Sequence, residues 1–197
     1  MVASLHRIDP TVIVGTTCQS WIEFVGAWDF RGPMVILDAF LDDHVPVALK
    51  VRALTRLGTR SVVLGRTPDG PMARRCRAEG AAGWIGADLR LDDAVRSSLR
   101  LLRSSDAGQS RPDAYLALTD RELQIASLYA GHHTPSVRRV ARLLGRSPET
   151  VRVHLRSTRR KYRAAGIEVT SRATLAQALE TDGLIVPLRT WVALGRR

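Results

Sequence analysis

The 197-residue chain holds two cysteines, two lysines, three phenylalanines and three tyrosines, and it is short of acid, with 19 Asp and Glu against 30 Lys and Arg. Each shortage excludes something. Cys18 and Cys76 form no CxxC and no Cys/His pair at metal spacing, which argues against a disulfide framework, a zinc finger or any other metal site. No run approaches the ~18–20 consecutive apolar residues of a membrane span. Met1 to Pro10 lacks the apolar stretch and small-residue cleavage site of a secretory signal. The expectation is a cytoplasmic, reduced setting with no membrane association. An apolar content of 45% with 25% charged residues is that of a folded chain rather than a disordered one. At ~100–150 residues per domain, the length suits one large or two small domains.

The shortage of acid leaves a formal charge of +11 and a pI near 11.1. With Lys50 and Lys161 the only lysines, the arginine usage also fits a genomic composition bias, so the location of the charge matters more than its total. Residues 1–105 hold 14 basic and 11 acidic side chains, and residues 106–197 hold 16 and 8. Arg138, Arg139, Arg142, Arg146, Arg152, Arg156, Arg159, Arg160, Lys161 and Arg163 fall in one 26-residue stretch whose only acid is Glu149. A solvated helix face is the bland account of such a run. The sharper one is the electrostatic footprint of a phosphate-binding surface.

Residues 104–114, SSDAGQSRPDA, have the small, polar and Pro/Gly composition of a linker. Before it, short β-branched runs at 11–14, 34–37 and 61–64, with a weaker one at 83–86, alternate with helical stretches at 44–57, 71–79 and 91–103. That alternation predicts a parallel sheet with helices on its faces. After the linker come four helical segments and no strand signal. The expected organisation is an α/β domain over 1–103, a linker over 104–114, an all-α four-helix domain over 115–186 and a basic tail over 187–197.

Thr119 followed by Glu122 is a capping box that opens a helix over 120–130. Ser136 is a second N-cap candidate, and Val137, Val140, Ala141 and Leu144 recur at i, i+3, i+4 and i+7, a buried stripe. Gly145 sits where a helix end needs positive φ. Ser147, Pro148 and Glu149 then suit an N-cap, a first helical position and the positive end of a helix dipole. The gap is a three-residue turn, and small Ala141, Gly145 and Val151 suit the closest approach of two crossing helices, as in a helix-turn-helix. Phased at 100° per residue, Val151, Leu155, Thr158 and Tyr162 share the core side of the third helix. Arg152, Arg156, Arg159, Arg160 and Arg163 share an arc of ~100° away from it, with no acid expected to pair them. A helix fits the major groove, and arginine pairs bidentately with guanine.

The segment LTDRELQIASLYAG…VRRVARLLGRSPETVRVHLRSTRRKY resembles the LuxR-type (GerE) helix-turn-helix of NarL/FixJ-family response regulators. The resemblance runs over residues 116–185 and rests on Leu118, Thr119, Arg121, Glu122, Ala141, Leu144, Ser147, Thr150, Val151, His154 and Lys161. It implies base contacts by Arg152, Val153 and Arg156. It implies backbone contact or local support by Thr150, His154 and Lys161, with Ser147, Arg159, Arg160 and Arg163 as further backbone contacts. Arg152 stands where the family has Lys, Thr158 where it has a core Ile, and Tyr162 where it has a core Leu; the last two imply a looser or rearranged core. Leu175, Ala176 and Leu179, on one face of the fourth segment, fall where the family's helix pairs two copies, although taken alone they read as simple core.

The family carries a receiver domain in front, and MVILDAF…VVLGRT…AEGAAGWIGADL resembles receiver strands three to five. The resemblance puts Asp38 at the phosphoacceptor position, Gly65 where a Thr or Ser belongs and Ala87 where a Lys belongs. TVIVG reads as the second strand, with residues 1–8 the tail of a helix whose strand is missing, or else as a first strand; neither register supplies the acidic pair that holds Mg²⁺, and Asp42 and Asp43 are no substitutes. The expected first domain is thus a flavodoxin-like pseudo-receiver lacking its first strand, with Asp38 structural. Trp21, Trp28 and Trp84 form either core or an apolar pocket. Cys18 and Cys76 read as inert thiols, and His132 and His133 as turn residues without a metal.

The expectation for function is a dimeric, sequence-specific transcriptional regulator, phosphorylation-independent, nucleoid-associated and not an enzyme. It would use no cofactor and read an inverted-repeat site in double-stranded DNA. The alternative is a protein-interaction or ligand-sensing module that modulates another regulator, with a heteromeric partner or a small-molecule effector.

Overall fold

The computed structural model describes residues 2–28, 34–41, 43–104, 115–131 and 136–186. The chain divides into two compact units, Met1–Pro112 and Asp113–Arg197.

In the first unit, helices α1 (Val2–Ile8) and α2 (Trp21–Ala27) precede strand β1 (Met34–Asp38); α3 (Val47–Arg56), β2 (Arg60–Gly65), α4 (Pro71–Ala78), β3 (Gly83–Gly86) and α5 (Leu91–Arg103) follow in alternation. The three strands are parallel in the order β1-β2-β3, with Ile36 opposite Val62 and Val63 opposite Trp84. Parallel strands need cover on both faces. On one face Val62 and Ile85 form a core with Ala94 and Leu102 of α5, flanked by Ile36, Leu64 and Leu101. Alternation turns Leu37, Val63 and Trp84 to the other face, where α3 and α4 lie against β2 and β3. Asp92 and Asp93 in the first turn of α5 and Arg100 and Arg103 in its last complement its dipole. Ion pairs Arg7–Asp92 at 2.5 Å and Asp9–Arg103 at 2.6 Å tie the α1 region to both ends of α5.

Two sequence expectations fail here. Residues 11–14 form no strand: Val12 and Val14 pack against Leu5, Val95 and Leu99, Ile13 is 91% exposed, and no strand among the described residues pairs with them. A β-branched run becomes a strand only when the fold supplies a ladder partner. Helix α2 was not foreseen, although Ser20 and Glu23 signal it: the Ser20 hydroxyl accepts the Glu23 amide at 3.2 Å, and the Glu23 carboxylate accepts the Gln19 amide at 2.8 Å. The tryptophans do not converge on one pocket. Trp21 and Trp28 each stack on Phe24 along α2, whereas Trp84 is buried in β3.

The second unit consists of α6 (Asp120–Ala130), α7 (Val137–Leu143), α8 (Pro148–Ala164) and α9 (Arg172–Thr181). Three caps, at Thr119, Ser136 and Ser147, are those the sequence announces, and Ser171 adds a fourth. Both hydrogen bonds of the Thr119/Glu122 capping box form, and Ser136, Ser147 and Ser171 each accept the amide three residues on. Leu123, Ile125, Val140, Val151, Leu155, Tyr162, Leu175 and Leu179 make the core, and burying one such side chain is worth ~1.5–3 kcal/mol. The turn between α7 and α8 is four residues, 144–147, one more than expected. Gly145 adopts φ +59°, but a Cβ there would meet nothing within 4 Å, so it closes the turn without lying at the helix crossing. The largest correction concerns α9. Leu175 and Leu179 are fully buried in the unit's own core and cannot face a second copy; only Ala176 of the three stays partly exposed. No helix among the described residues is long and apolar enough to cross a membrane. The tail, the 105–114 part of the linker, Asp42, His132 and His133 lie outside the described residues.

Candidate nucleic-acid interface

Helix α8 divides its side chains by periodicity. Val151, Leu155, Thr158 and Tyr162 are buried, while Arg152, Val153, Arg156, Arg160 and Arg163 are exposed, Val153 at 49%. An exposed valine among arginines is an apolar contact point on a cationic face. Arg159 is half-buried, its Nε lacks a hydrogen-bond partner, and no carboxylate answers it among the described residues. The expectation of wholly unpaired arginines is corrected at one position: Arg152 Nη1 lies 3.1 Å from Glu149 Oε2, one turn away on the same face. Both side chains are more than half exposed. Such a surface pair is worth ~0–1 kcal/mol and is readily exchanged for another anion.

The helix is held by a buried carboxylate on α6. Glu122 accepts the Thr119 amide at 2.8 Å, the Ser157 hydroxyl at 2.7 Å and the Lys161 ammonium at 2.7 Å. Lys161 also donates to the Ala117 carbonyl at 2.8 Å. Burial pushes the Glu122 carboxyl up, but the Lys161, Thr119 and Ser157 donors outweigh it and hold its pKa at about 2. Lys161 is therefore engaged inside the unit, and Ser147 and Thr150 cap α8 through each other. His154 is half-buried, and its carbonyl accepts the Thr158 hydroxyl at 2.9 Å. The two unusual core residues are accommodated by rearrangement: Thr158 makes that bond while fully buried, and the Tyr162 hydroxyl donates to Asp182 at the end of α9 at 2.6 Å.

In the first unit, Asp38 ends β1 exposed and accepts the Phe40 amide at 2.8 Å. The position beyond it across the sheet is closed. A Cβ on Gly65 would lie 2.1 Å from Cζ2 of Trp84, so the indole fills the space a side chain there would occupy. Ala87 is exposed and its amide is spent on the Gly65 carbonyl at 2.8 Å. No three His, Cys, Asp or Glu side chains converge among the described residues. Sequence reading missed one pair: Lys50 and Asp43, both nearly inaccessible, meet at 2.7 Å, and Asp43 also accepts the Trp21 and Val45 amides. Burial pulls the Lys50 pKa down against the opposing pull of Asp43. Asp43 is thus a brace between α2 and α3. Cys76 is fully buried, which pushes its thiol up to about 12 and leaves it unreactive.

No family model matches the chain, and no curated protein does. Among solved structures it resembles response regulators. The response regulator RcsB from Salmonella enterica serovar Typhimurium, bound to promoter rprA in the presence of the phosphomimetic BeF3-, matches at 16% identity over 90% of each chain, with a TM-score of 0.44. A second RcsB structure from Salmonella typhimurium matches at 18% over 90% of each chain, with a TM-score of 0.43. The response regulator StyR matches at 21% over 91% of this chain and 90% of its own, with a TM-score of 0.37.

Proposed function

We propose that the chain is a sequence-specific DNA-binding transcriptional regulator whose α/β unit works without aspartyl phosphorylation and which acts as a dimer. The observation that carries this is α8: a rigidly capped helix with four exposed arginines and a half-buried fifth, set against a core-facing stripe. Arg152 and Arg156 are the guanine readers and Val153 the apolar contact between them; Arg160 and Arg163, with Arg159, meet phosphates. Lys161, Ser147 and Thr150 act chiefly by holding the helix. Phosphorylation independence is supported by the indole over Gly65 and by the exposed alanine at position 87. The α9 surface open to a second copy carries Ala173, Ala176 and Gln177.

Arg152→Ala tests the reading: it should cost ~1–3 kcal/mol on the selected site and relax base preference at one position per half-site. Equal losses on selected and random DNA would remove Arg152 from base reading. A second reading, in which the α/β unit binds a protein partner, is favoured by Ile13 and Ile22, 91% and 72% exposed, and by an α2 with no buried residue. Light scattering of the full chain with and without Ile22→Ser separates the two, since a self-dimer unaffected by the change favours the first.

A further inference from the structure

Glu149 is the single acid between residues 138 and 163, and it stands on the cationic side of α8. At 100° per residue it falls inside the same arc of ~100° as Arg152, Val153, Arg156, Arg160 and Arg163, away from the buried stripe. Its side chain is 65% exposed. A carboxylate there repels every phosphate that the neighbouring arginines attract, so a helix that needed only to be cationic is better without it. The start of the helix does not account for it fully. An acid in the first turn complements the dipole, but an acid at position 150, outside the arc, would serve the dipole as well. The cap needs nothing from Glu149 either: the Ser147 hydroxyl accepts the Thr150 amide at 3.1 Å, and the two hydroxyls bond each other at 2.9 Å.

Among the described residues the partner of Glu149 is Arg152, whose Nη1 donates to Oε2 at 3.1 Å. That bond leaves the Nε and Nη2 edge of the guanidinium for the N7 and O6 of a guanine, and leaves Oε1 as a second acceptor. A carboxylate donates nothing, so in the major groove it can face only an amino group, that of cytosine or of adenine. Adenine sets its N7 acceptor beside the amino group, which repels a carboxylate; cytosine does not. The 3.1 Å between the two side chains also matches the ~3.4 Å step between successive bases. We propose that Glu149 is a specificity-determining residue, its carboxylate accepting the N4 amino group of a cytosine in the base pair next to the guanine that Arg152 reads. This rests on the reading of α8 as a base-reading helix.

The test is selection from a random pool of DNA duplexes by the full chain and by its Glu149→Ala and Glu149→Gln variants, followed by anisotropy on the selected and a random duplex. The native chain should enrich a cytosine next to the guanine whose preference Arg152→Ala relaxes. Glu149→Ala should lose the preference for that cytosine alone. Glu149→Gln should exchange it for adenine, which glutamine pairs through N6 and N7. Replacing the cytosine in the selected site should cost the native chain about 5- to 140-fold in affinity and cost Glu149→Ala nothing. Affinity for the random duplex should rise in both variants, because one repulsion of the phosphates is gone. Circular dichroism should show the native helix content in both. Enrichment of the native site unchanged by Glu149→Ala leaves the residue to the dipole alone and overturns the proposal. Equal gains on selected and random DNA overturn it too, since they reduce Glu149 to a repulsive charge. A native chain that enriches no sequence overturns the reading of α8 itself, so the two failures are distinguishable.

Discussion

Replacing Glu122 by Gln should expose how much of the helical unit depends on one carboxylate. Its two oxygens serve the α6 cap, Ser157 and Lys161, and the residue is 4% exposed. Glutamine keeps the size but offers one acceptor oxygen and no charge. The carboxyl titrates near 2 in the folded chain against 4.5 in a free one, a gap equivalent to roughly 3 kcal/mol. Because the Lys161 side chain is 31% exposed, solvent screening lowers the expected loss to about 2 kcal/mol at pH 7. For a unit of this size that corresponds to roughly 8–16 °C in Tm, readable by calorimetry of the full chain. The pH dependence has a definite sign. A depressed carboxyl pKa stabilises fully above its unfolded value, and the contribution is lost as pH falls from about 4.5 toward 2. The native chain and Glu122→Gln should therefore differ most at neutral pH and converge near pH 2. A difference that persists unchanged to pH 2, or that is absent at pH 7, would refute the role given to the carboxylate.

Three further outcomes are expected. Gly65→Ser should cost about 1–3 kcal/mol by overpacking against Trp84, measured by urea denaturation with tryptophan emission; unchanged stability would mean that the indole does not close the site. Tyr162→Phe should cost about 1–2 kcal/mol, since it strips the buried hydroxyl from Asp182; a neutral change would remove the link between α8 and the end of α9. Incubation with acetyl phosphate and Mg²⁺ should give no phosphoryl adduct by intact mass, and an adduct abolished by Asp38→Asn would reinstate phosphorylation.

What the sequence makes legible is mostly local. Thr119, Ser136 and Ser147 are caps whose geometry involves only a few neighbouring residues, and the structure forms each one. The 3.6-residue period likewise separates Val151, Leu155 and Tyr162 from the arginines, because a helix face is a local property. Non-local relations are harder to read. The TVIV run has strand composition, but a ladder partner is decided elsewhere in the chain. Leu175 and Leu179 have the same apolar pattern whether they face a core or a second copy, and only packing against α6 decides. The two lysines had a subtler signal. In a chain that otherwise uses arginine throughout, Lys50 and Lys161 each meet a buried carboxylate at 2.7 Å. At both places a single compact ammonium fits where a planar guanidinium would need more room. The Trp84–Gly65 contact was hidden because the space over a glycine depends on which side chain of the next strand leans into it.

Selection by the full chain from a random pool of DNA duplexes distinguishes an α8 that reads bases from one that is merely cationic. A base-reading α8 enriches an inverted repeat, with each half-site altered at one position when Arg156→Ala replaces the native chain. Enrichment of no sequence, with salt-dependent binding equal on every duplex, would contradict it.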